Sequence, residues 1–542
     1  MKGSYQWALF ISMFPFYAFG VFVYFGQMFL TEVSPNHWCK IPELENLTDF
    51  QRRDLGVPKD NNTRFGYSQC KMYDVDWTNV LATGQKPNQT WNVVSCQHGW
   101  EYNYTEIPYP TIGSDYEWVC EKSSYQATAQ SVFFIGSIFG GLIFGYIADR
   151  FGRLPATIIS CLFGGIGGFS STFTRSLVEF SATRFVVGMA YNNCMMMPYL
   201  LMLEYVAPKY RTLFANLSFA LFYAAFSVII PWIALLCGHW KTICLVTSLP
   251  LMLAVVAKFF LPESPRWLLS KGRVDEAIEK VLVIGRFNKK EVPEKLIQQF
   301  KSSIASTTKK EESQSFFEIF RRPTMRKMYI LVCFQYMCGS IVFDGLVRSI
   351  GQLDYDFFIS FSVISFTEFP SVILVAFVMD HFGRKWLSIV FMFFTAVFCY
   401  ATIFVSGIHT VILAFLARFA LNMSLSAVMQ WAPEIIPTPV RGSGLAVIYM
   451  FGYLASFLSP YIIYLKEYIY WLPLAVIGTI SVVGTLIPFG LPETAMKGMP
   501  QTFDESEHLN ENQRLWTLPF LEARRQKKIE KGQMNLSFEL EY

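Results

Sequence analysis

Charged residues are scarce in this sequence of 542 residues. Asp, Glu, Lys and Arg make up 16% of it, whereas hydrophobic residues make up 53%. Soluble globular chains carry roughly a quarter charged residues, so the composition excludes an ordinary soluble domain and is typical of a membrane protein. The formal net charge of +4 is scattered among loops and forms no binding stripe, so no nucleic-acid partner is expected.

The sequence also lacks the short motifs of nucleotide, acyl-transfer and metal chemistry. It has no glycine-rich phosphate loop ending in Gly-Lys-Ser/Thr, no nucleophile elbow and no metal-ligand spacing. We therefore expect no enzyme activity, no ATP hydrolysis, no cofactor and no metal.

Long hydrophobic runs, by contrast, are abundant. Twelve stretches are long and apolar enough to cross roughly 30 Å of hydrocarbon. They cover residues 7–30, 125–148, 154–174, 177–203, 212–238, 240–261, 328–350, 356–379, 386–406, 409–433, 443–465 and 470–490. The first is too long for the core of a signal peptide and no small-residue cleavage site follows it, so it is predicted to be a retained helix. The expected fold is an all-α membrane protein of twelve helices.

The distribution of charge and cysteine predicts the orientation. Loop 262–327 and the short loops 149–153, 209–211 and 384–385 are basic, so the positive-inside rule makes them cytoplasmic, together with both termini. Loop 31–123 leans acidic and carries four cysteines and four glycosylation sequons, which suits an extracellular side. The cysteines are Cys39, Cys70, Cys96 and Cys120, and their three possible pairings stay open; the sequons lie at Asn46, Asn61, Asn88 and Asn103.

Charged patterns recur at nearly one offset. Residues 149–153, 204–211, 262–264 and the arginine at 184 return at 380–384, 434–441, 492–494 and 418, always about 230 residues later. The chain is therefore predicted to be a tandem duplication of a six-helix unit that binds substrate between its halves. The expected divisions are an N-terminal half 1–261, a cytoplasmic linker 262–327, a C-terminal half 328–490 and a cytoplasmic tail 491–542. The linker is expected to form amphipathic helices at 274–287 and 292–304, and residues 495–542 to be mostly disordered with a short helix near 515–528.

The repeated acid and base groups are candidates for a gate. Clustered at cytoplasmic helix ends, they are predicted to pair across the halves when the inner side is closed and to separate when it opens. Membrane topology alone explains an isolated Lys or Arg, but sets repeated in register favour gating. The predicted gating residues are Asp149, Arg150, Arg153, Arg184, Glu204, Arg211, Glu263, Arg266, Asp380, Arg384, Arg418, Glu434 and Arg441.

The 145–153 loop, the Pro-Glu-Ser-Pro-Arg-Trp-Leu run at 262–268 and the Glu-x6-Arg pairs resemble the major facilitator superfamily. The large cysteine-bearing loop, Trp38-Cys39, Glu368-Phe369-Pro370 and Ser459-Pro460-Tyr461 are similar to the organic ion transporters of solute carrier family 22. This resemblance implies a plasma-membrane carrier that moves small organic cations, zwitterions such as carnitine, or organic anions by alternating access. In such relatives the position of Tyr453 tends to be acidic in cation carriers and basic in anion and carnitine-type carriers, and Tyr453 is neither.

An ionisable residue inside a span costs roughly 2.5–3.5 kcal/mol and so is a candidate site residue. Three of them stand out: Asp344, Arg348 and Glu368. Asp344 and Arg348 are spaced i, i+4, so they either form an ion pair or are free to bind a ligand. Glu368 has no basic residue within a turn, so it needs a bound cation, a proton or a partner across the bundle; by resemblance it faces the central cavity. The further substrate-binding candidates are Tyr336, Phe343, Tyr453, Trp431, Gln430, Asn192 and Asn193.

These acids favour transport of organic cations or zwitterions. Organic anion exchange with Arg348 as the counter-charge is the second hypothesis, and a facilitator-fold receptor that transports nothing is the third. The expected partners are a small organic ion and the lipid bilayer, with H⁺ or Na⁺ as candidate coupling ions.

Overall fold

The computed structural model describes residues 3–60, 65–88, 90–206, 208–290, 293–307, 316–353, 355–495 and 497–510. Within these ranges, twelve helices are long and apolar enough to cross a membrane, which confirms the predicted fold. Named α1 to α12, they are Ser4–Thr31, Cys120–Phe151, Arg153–Phe173, Leu177–Tyr205, Asn216–Cys237, Trp240–Phe260, Pro323–Gln352, Phe357–Phe382, Arg384–Thr402, Ile408–Ile435, Thr438–Glu467 and Leu472–Gly490. The N-terminal half is α1–α6 and the C-terminal half is α7–α12.

Several spanning helices consist of two segments. These are Ser4–Ser12 and Phe14–Thr31 in α1, Leu177–Ala190 and Asn193–Tyr205 in α4, Phe357–Ser365 and Glu368–Phe382 in α8, and Arg441–Ser456 and Ser459–Tyr464 in α11. In α1, α8 and α11 a proline, at 15, 370 and 460, stands in the first turn of the second segment, because it lacks an N–H and clashes with the preceding turn. Helix Pro208–Ser218 continues into α5, where a π-helical turn at Phe219–Tyr223 precedes Ala224–Cys237.

The two ends of the bundle differ in what covers them. The loops that follow α2, α4, α8 and α10 lie together at one end, which we call the motif end because it carries Asp149, Glu204, Asp380 and Glu434. The opposite end is the cap end, where residues 32–119 form a small domain. All odd-numbered spans run toward the cap end and all even-numbered spans run away from it.

The cap domain is built from short strands and two disulfides. Strand β1 (His37–Cys39) pairs antiparallel with β4 (Trp100–Tyr102), and β2 (Lys71–Tyr73) with β3 (Val93–Ser95). It also contains helices Asp49–Gly56 and Trp77–Thr83. Of the three possible cysteine pairings the structure has Cys39–Cys96 and Cys70–Cys120. The sequon residues Asn46 and Asn88 are exposed and Asn103 is half-buried, while Asn61 lies outside the described residues.

Short helices also occupy the linker and the start of the tail. The linker contains Pro265–Ser270, Val274–Phe287, Glu294–Thr307 and Glu318–Arg321, so both expected amphipathic helices have counterparts there. The tail differs from expectation, because residues 497–510 fold against the motif end and include helix Phe503–Glu507. The Ser506 hydroxyl donates to Ile435 O, and Glu507 accepts hydrogen bonds from Thr324 N at 2.9 Å and Met325 N at 3.0 Å. The helix predicted near 515–528 lies outside the described residues.

Candidate functional site

At the cap end the two halves are in direct contact. The Ser131 hydroxyl of α2 donates to Phe457 O of α11 at 2.9 Å. Phe361 of α8 packs against Phe25 and Phe29 of α1, with ring centroids 5.4 and 4.9 Å apart. This layer closes the space between the halves on that side.

At the motif end, the ion pairs that the described residues form stay within one half. Arg153 pairs with Asp149 at 2.7 Å in the N-terminal half. Arg384 contacts Asp380 at 3.2 Å and Glu434 at 2.8 Å in the C-terminal half. The structure thus joins the halves at the cap end and keeps the motif clusters separate, and the predicted pairing across halves stays a prediction for the opposite state.

The same carboxylate arrangement holds the motif loop in both halves. Glu263 accepts hydrogen bonds from the first two backbone N–H groups of α3, at 2.9 and 3.1 Å. Glu493 does the same at α9, at 2.9 and 3.0 Å. Each carboxylate satisfies orphan donors at the positive end of a helix. Gly152 precedes α3 with φ 113°, and a Cβ there would lie 2.3 Å from Glu263 Oε2, so only glycine permits this approach.

The Glu-x6-Arg residues do not pair with each other. Arg211 donates from Nε to Val206 O at 3.3 Å, and Arg441 donates from Nε to Ile436 O at 3.1 Å, so both satisfy backbone carbonyls just beyond a helix end. One oxygen of Glu204 is buried without a hydrogen-bond partner. Of the remaining predicted gating residues, Arg150 contacts the Tyr146 hydroxyl at 2.7 Å and Arg266 is exposed.

Two of the predicted gating residues, Arg184 and Arg418, lie away from the motif end. Both follow the first turns of helices that begin at the cap end, so they lie inside the bundle and not among the motif clusters. Arg184 donates to the Ser171 hydroxyl at the cap end of α3, and Arg418 donates to Phe343 O of α7 at 2.8 Å. A repeated sequence pattern shows which positions of the two halves are equivalent. It does not show how deep in the membrane those positions lie.

Asp344 lies at the interface between the halves. It is 4% exposed and accepts a hydrogen bond from the Tyr24 hydroxyl of α1. The terminal nitrogens of Arg348, one turn later, have no hydrogen-bond partner among the residues that the structure describes, so the alternative i, i+4 ion pair is not formed. Arg348 donates only from Nε, to the Ser459 hydroxyl at 3.3 Å, and lies 5.4 Å from the Phe134 ring centroid.

Tyrosines from both halves surround this position. The Tyr24 and Tyr191 rings are stacked with centroids 4.8 Å apart, and Tyr191 lies 6.1 Å from Tyr453 of α11. Tyr336 of α7 lies 5.4 Å from Tyr449 of α11. Tyr24, Tyr191 and Tyr449 were missed by the sequence analysis, because a tyrosine inside a hydrophobic run gives no local signal that it meets the other half.

Glu368 pairs with a residue on another helix of the bundle. This is one of the three ways of balancing its charge that the sequence predicted. Its carboxylate forms an ion pair with Arg418 at 3.0 Å, and the two side chains are 14% and 2% exposed. The Arg418 guanidinium lies 3.4 Å from the centroid of the Phe343 ring. The Phe343 ring is therefore covered by the Arg418 guanidinium. The side chains of Tyr336 and Tyr453 are half-buried.

The other predicted binding residues differ in their burial and contacts. Trp431 is fully buried and donates from Nε1 to Pro492 O at 3.0 Å, as a packing residue does. Gln430 is half-buried. Asn192 and Asn193 lie at the interruption of α4, where Asn193 donates to Met189 O at 3.2 Å.

Two repeated six-helix halves that meet at a buried polar layer define the class of the protein as a secondary transporter of the major facilitator fold. A family model described as sugar (and other) transporter matches residues 88–503, and the chain belongs to that family.

Relatives and solved structures agree with this assignment. The chain is 29% identical to a carcinine transporter of Drosophila melanogaster, covering 91% of this chain and 75% of that protein, and 28% identical to a beta-alanine transporter of the same organism, covering 89% and 83%. It is 26% identical to solute carrier family 22 member 2 of Homo sapiens, covering 90% of each, so the resemblance to that carrier family is confirmed. The partially occluded inward open xylose transporter of E. coli has the same fold, with TM-score 0.59, 16% identity and coverage of 91% and 100%.

Proposed function

We propose that the protein is a plasma-membrane transporter of small organic cations or zwitterions, with Asp344 as the residue that binds the positive charge of the substrate. The observation that carries this proposal is that Asp344 is a buried carboxylate between the halves, without an ion-pair partner among the described residues. A carboxylate at that depth requires a compensating cation. Glu368 already has one in Arg418, so Asp344 is the better candidate.

The surrounding rings support a cationic ligand. A desolvated ammonium over a tyrosine face gains about 0.5–2 kcal/mol from cation–π attraction. Tyr191 and Tyr453 come from different halves, and Tyr336 lies two turns from Asp344 on α7. The relatives named for carcinine and beta-alanine, both of which carry an amine, make this substrate class the first to test.

The position of the hydrogen bond that Asp344 accepts supports transport by alternating access. Its hydrogen bond from Tyr24 joins the halves across the cap end, so a substrate amine that takes this carboxylate competes with an interface contact. Binding of the substrate then changes the relative free energies of the two states, as transport requires. The two disulfides support an extracellular cap end, with the motif end and both termini in the cytoplasm.

The decisive experiment is uptake by oocytes of radiolabelled carcinine, beta-alanine, carnitine, tetraethylammonium and an organic anion. Asp344→Asn keeps the shape and removes the charge, and we expect a loss of cation or zwitterion uptake of roughly tenfold to a hundredfold, as for a lost charged hydrogen bond of 1.5–3 kcal/mol. Glu279→Gln, which alters an exposed carboxylate of the linker, is the control at matched surface expression. Equal uptake by Asp344→Asn and wild type would refute the assignment.

Organic anion transport is the second candidate, because both terminal nitrogens of Arg348 lack partners. The same pair of residues suits a zwitterion, whose ammonium binds Asp344 and whose carboxylate binds Arg348. Arg348→Gln should then impair beta-alanine and carnitine uptake but leave tetraethylammonium uptake intact. Uptake of the anion alone, unaffected by Asp344→Asn, would favour the anion carrier.

Coupling to H⁺ or Na⁺ is tested in the same assay. Asp344 offers a site that either a proton or the substrate amine can occupy, which predicts competition between them. Uptake should then fall in acidic medium and respond little to replacement of Na⁺ by Li⁺.

A further inference from the structure

Arg184 is a buried cation in the N-terminal half. It is 4% exposed and lies on α4, inside the membrane-spanning zone. Its guanidinium donates one hydrogen bond, to the Ser171 hydroxyl, and lies 5.1 Å from the Phe180 ring centroid. Nε has no hydrogen-bond partner, and no carboxylate among the described residues pairs with this arginine. An uncompensated charge at this depth is costly, so a counter-charge is expected.

A small cavity lies beside this guanidinium. It is lined by residues of α1, α3, α4 and α6, among them Arg184, Gly168, Thr247 and Ser248. Its volume is about 10 Å³, close to the minimum that holds one water-sized particle. This size excludes an organic anion and leaves a single small ion or a water molecule as the ligands to consider.

The chemistry of the lining is suited to an anion. The Ser248 hydroxyl lines the cavity and is a group that can donate a hydrogen bond to an anion there. A Cβ at Gly168 would lie 1.9 Å from Ser248 Oγ, so glycine is what lets this hydroxyl approach α3. A water molecule would satisfy hydrogen bonds here but would leave the positive charge of Arg184 unbalanced.

We propose that Arg184 and Ser248 bind a small inorganic anion in this cavity, with chloride as the physiological ligand. The anion takes the place that Glu368 occupies beside Arg418 in the C-terminal half. The site is separate from Asp344 and does not depend on the proposed substrate.

The test compares the thermal stability of the purified full-length protein in sodium chloride and in sodium gluconate at equal ionic strength. Wild type should lose about 2 °C or more of its unfolding temperature without chloride, because a ligand bound only to the folded state stabilises it. Arg184→Gln should show no chloride dependence. Thr247→Asp, which adds an internal carboxylate to the cavity wall, should also abolish it. Arg175→Gln, an exposed arginine at the cap end, should keep the wild-type response.

Bromide supplies a second readout that does not depend on whether a variant folds. Crystals of wild type grown in sodium bromide should show an anomalous peak next to Arg184. Equal stability of wild type in both salts, or bromide-grown crystals without that peak, would overturn the proposal.

Discussion

The two halves place arginines at equivalent positions but neutralise them differently. Arg418 has the carboxylate of Glu368 at 3.0 Å, whereas Arg184 donates to the Ser171 hydroxyl and has no carboxylate partner among the described residues. At the motif end Arg384 contacts Glu434 at 2.8 Å, whereas the equivalent Glu204 has an oxygen without a partner. At these two positions, and among the described residues, the C-terminal half therefore supplies a counter-charge that the N-terminal half does not.

Both halves retain the same backbone arrangement at the starts of α3 and α9. Glu263 and Glu493 cap α3 and α9 with the same pair of hydrogen bonds, and Gly152 and Gly383 both have positive φ. The difference teaches that helix ends must be satisfied in each copy, because an orphan N–H is costly everywhere. A buried charge can instead be balanced by a bound ligand or ion.

The largest expected effect comes from breaking the Glu368–Arg418 pair. Glu368→Ala leaves Arg418 buried without a counter-charge, which should lower the free energy of unfolding by about 3–5 kcal/mol. Arg184→Gln in chloride-free buffer should cost far less or be stabilising, because it removes a charge that has no partner. Thermal unfolding of both purified variants measures the contrast, and equal losses would show that the halves do not differ as described.

A smaller effect is expected at the motif end. Glu434 accepts hydrogen bonds from Arg384 and from the Thr494 hydroxyl, so Glu434→Gln should cost about 1–3 kcal/mol. Glu204→Gln should be nearly neutral. The same unfolding assay compares them, with Asp149→Asn, which removes one exposed ion pair, as a control of small effect. A large loss for Glu204→Gln would mean that this carboxylate has a partner in the N-terminal half after all.

The sequence predicted the spans and the repeat because hydrocarbon thickness fixes the length of an apolar run and duplication fixes an offset. It did not predict the partner of Glu368, which lies 50 residues away on another helix, or the contact of Tyr24 with Asp344, which are 320 residues apart. It also grouped Arg184 and Arg418 with the charges of the motif end, although both lie inside the bundle. Such contacts depend on how the helices pack against each other. The local sequence around a helical residue does not indicate which other helix it will contact.

The smallest expected effect concerns the start of the first helix in each half, α1 and α7. Tyr5 N at the start of α1 donates to the neutral side chain of Asn288 at 3.0 Å, whereas α7 begins at the carboxylate of Glu507. Burial opposes ionisation of Glu507, but hydrogen bonds from Thr324 N and Met325 N outweigh it and lower its pKa. The stabilisation by this cap is therefore complete above the unfolded value of about 4.3 and is lost as the pH falls through the lower folded pKa.

Amide hydrogen exchange, corrected for the intrinsic pH dependence, measures this contrast. Below about pH 4 the first turn of α7 should lose protection while the first turn of α1 keeps it. Glu507→Gln should show reduced protection of α7 already at neutral pH and no further change on acidification. If both helices lost protection together in wild type, the acid-labile step would lie elsewhere in the bundle, and the tail carboxylate would not be what anchors α7.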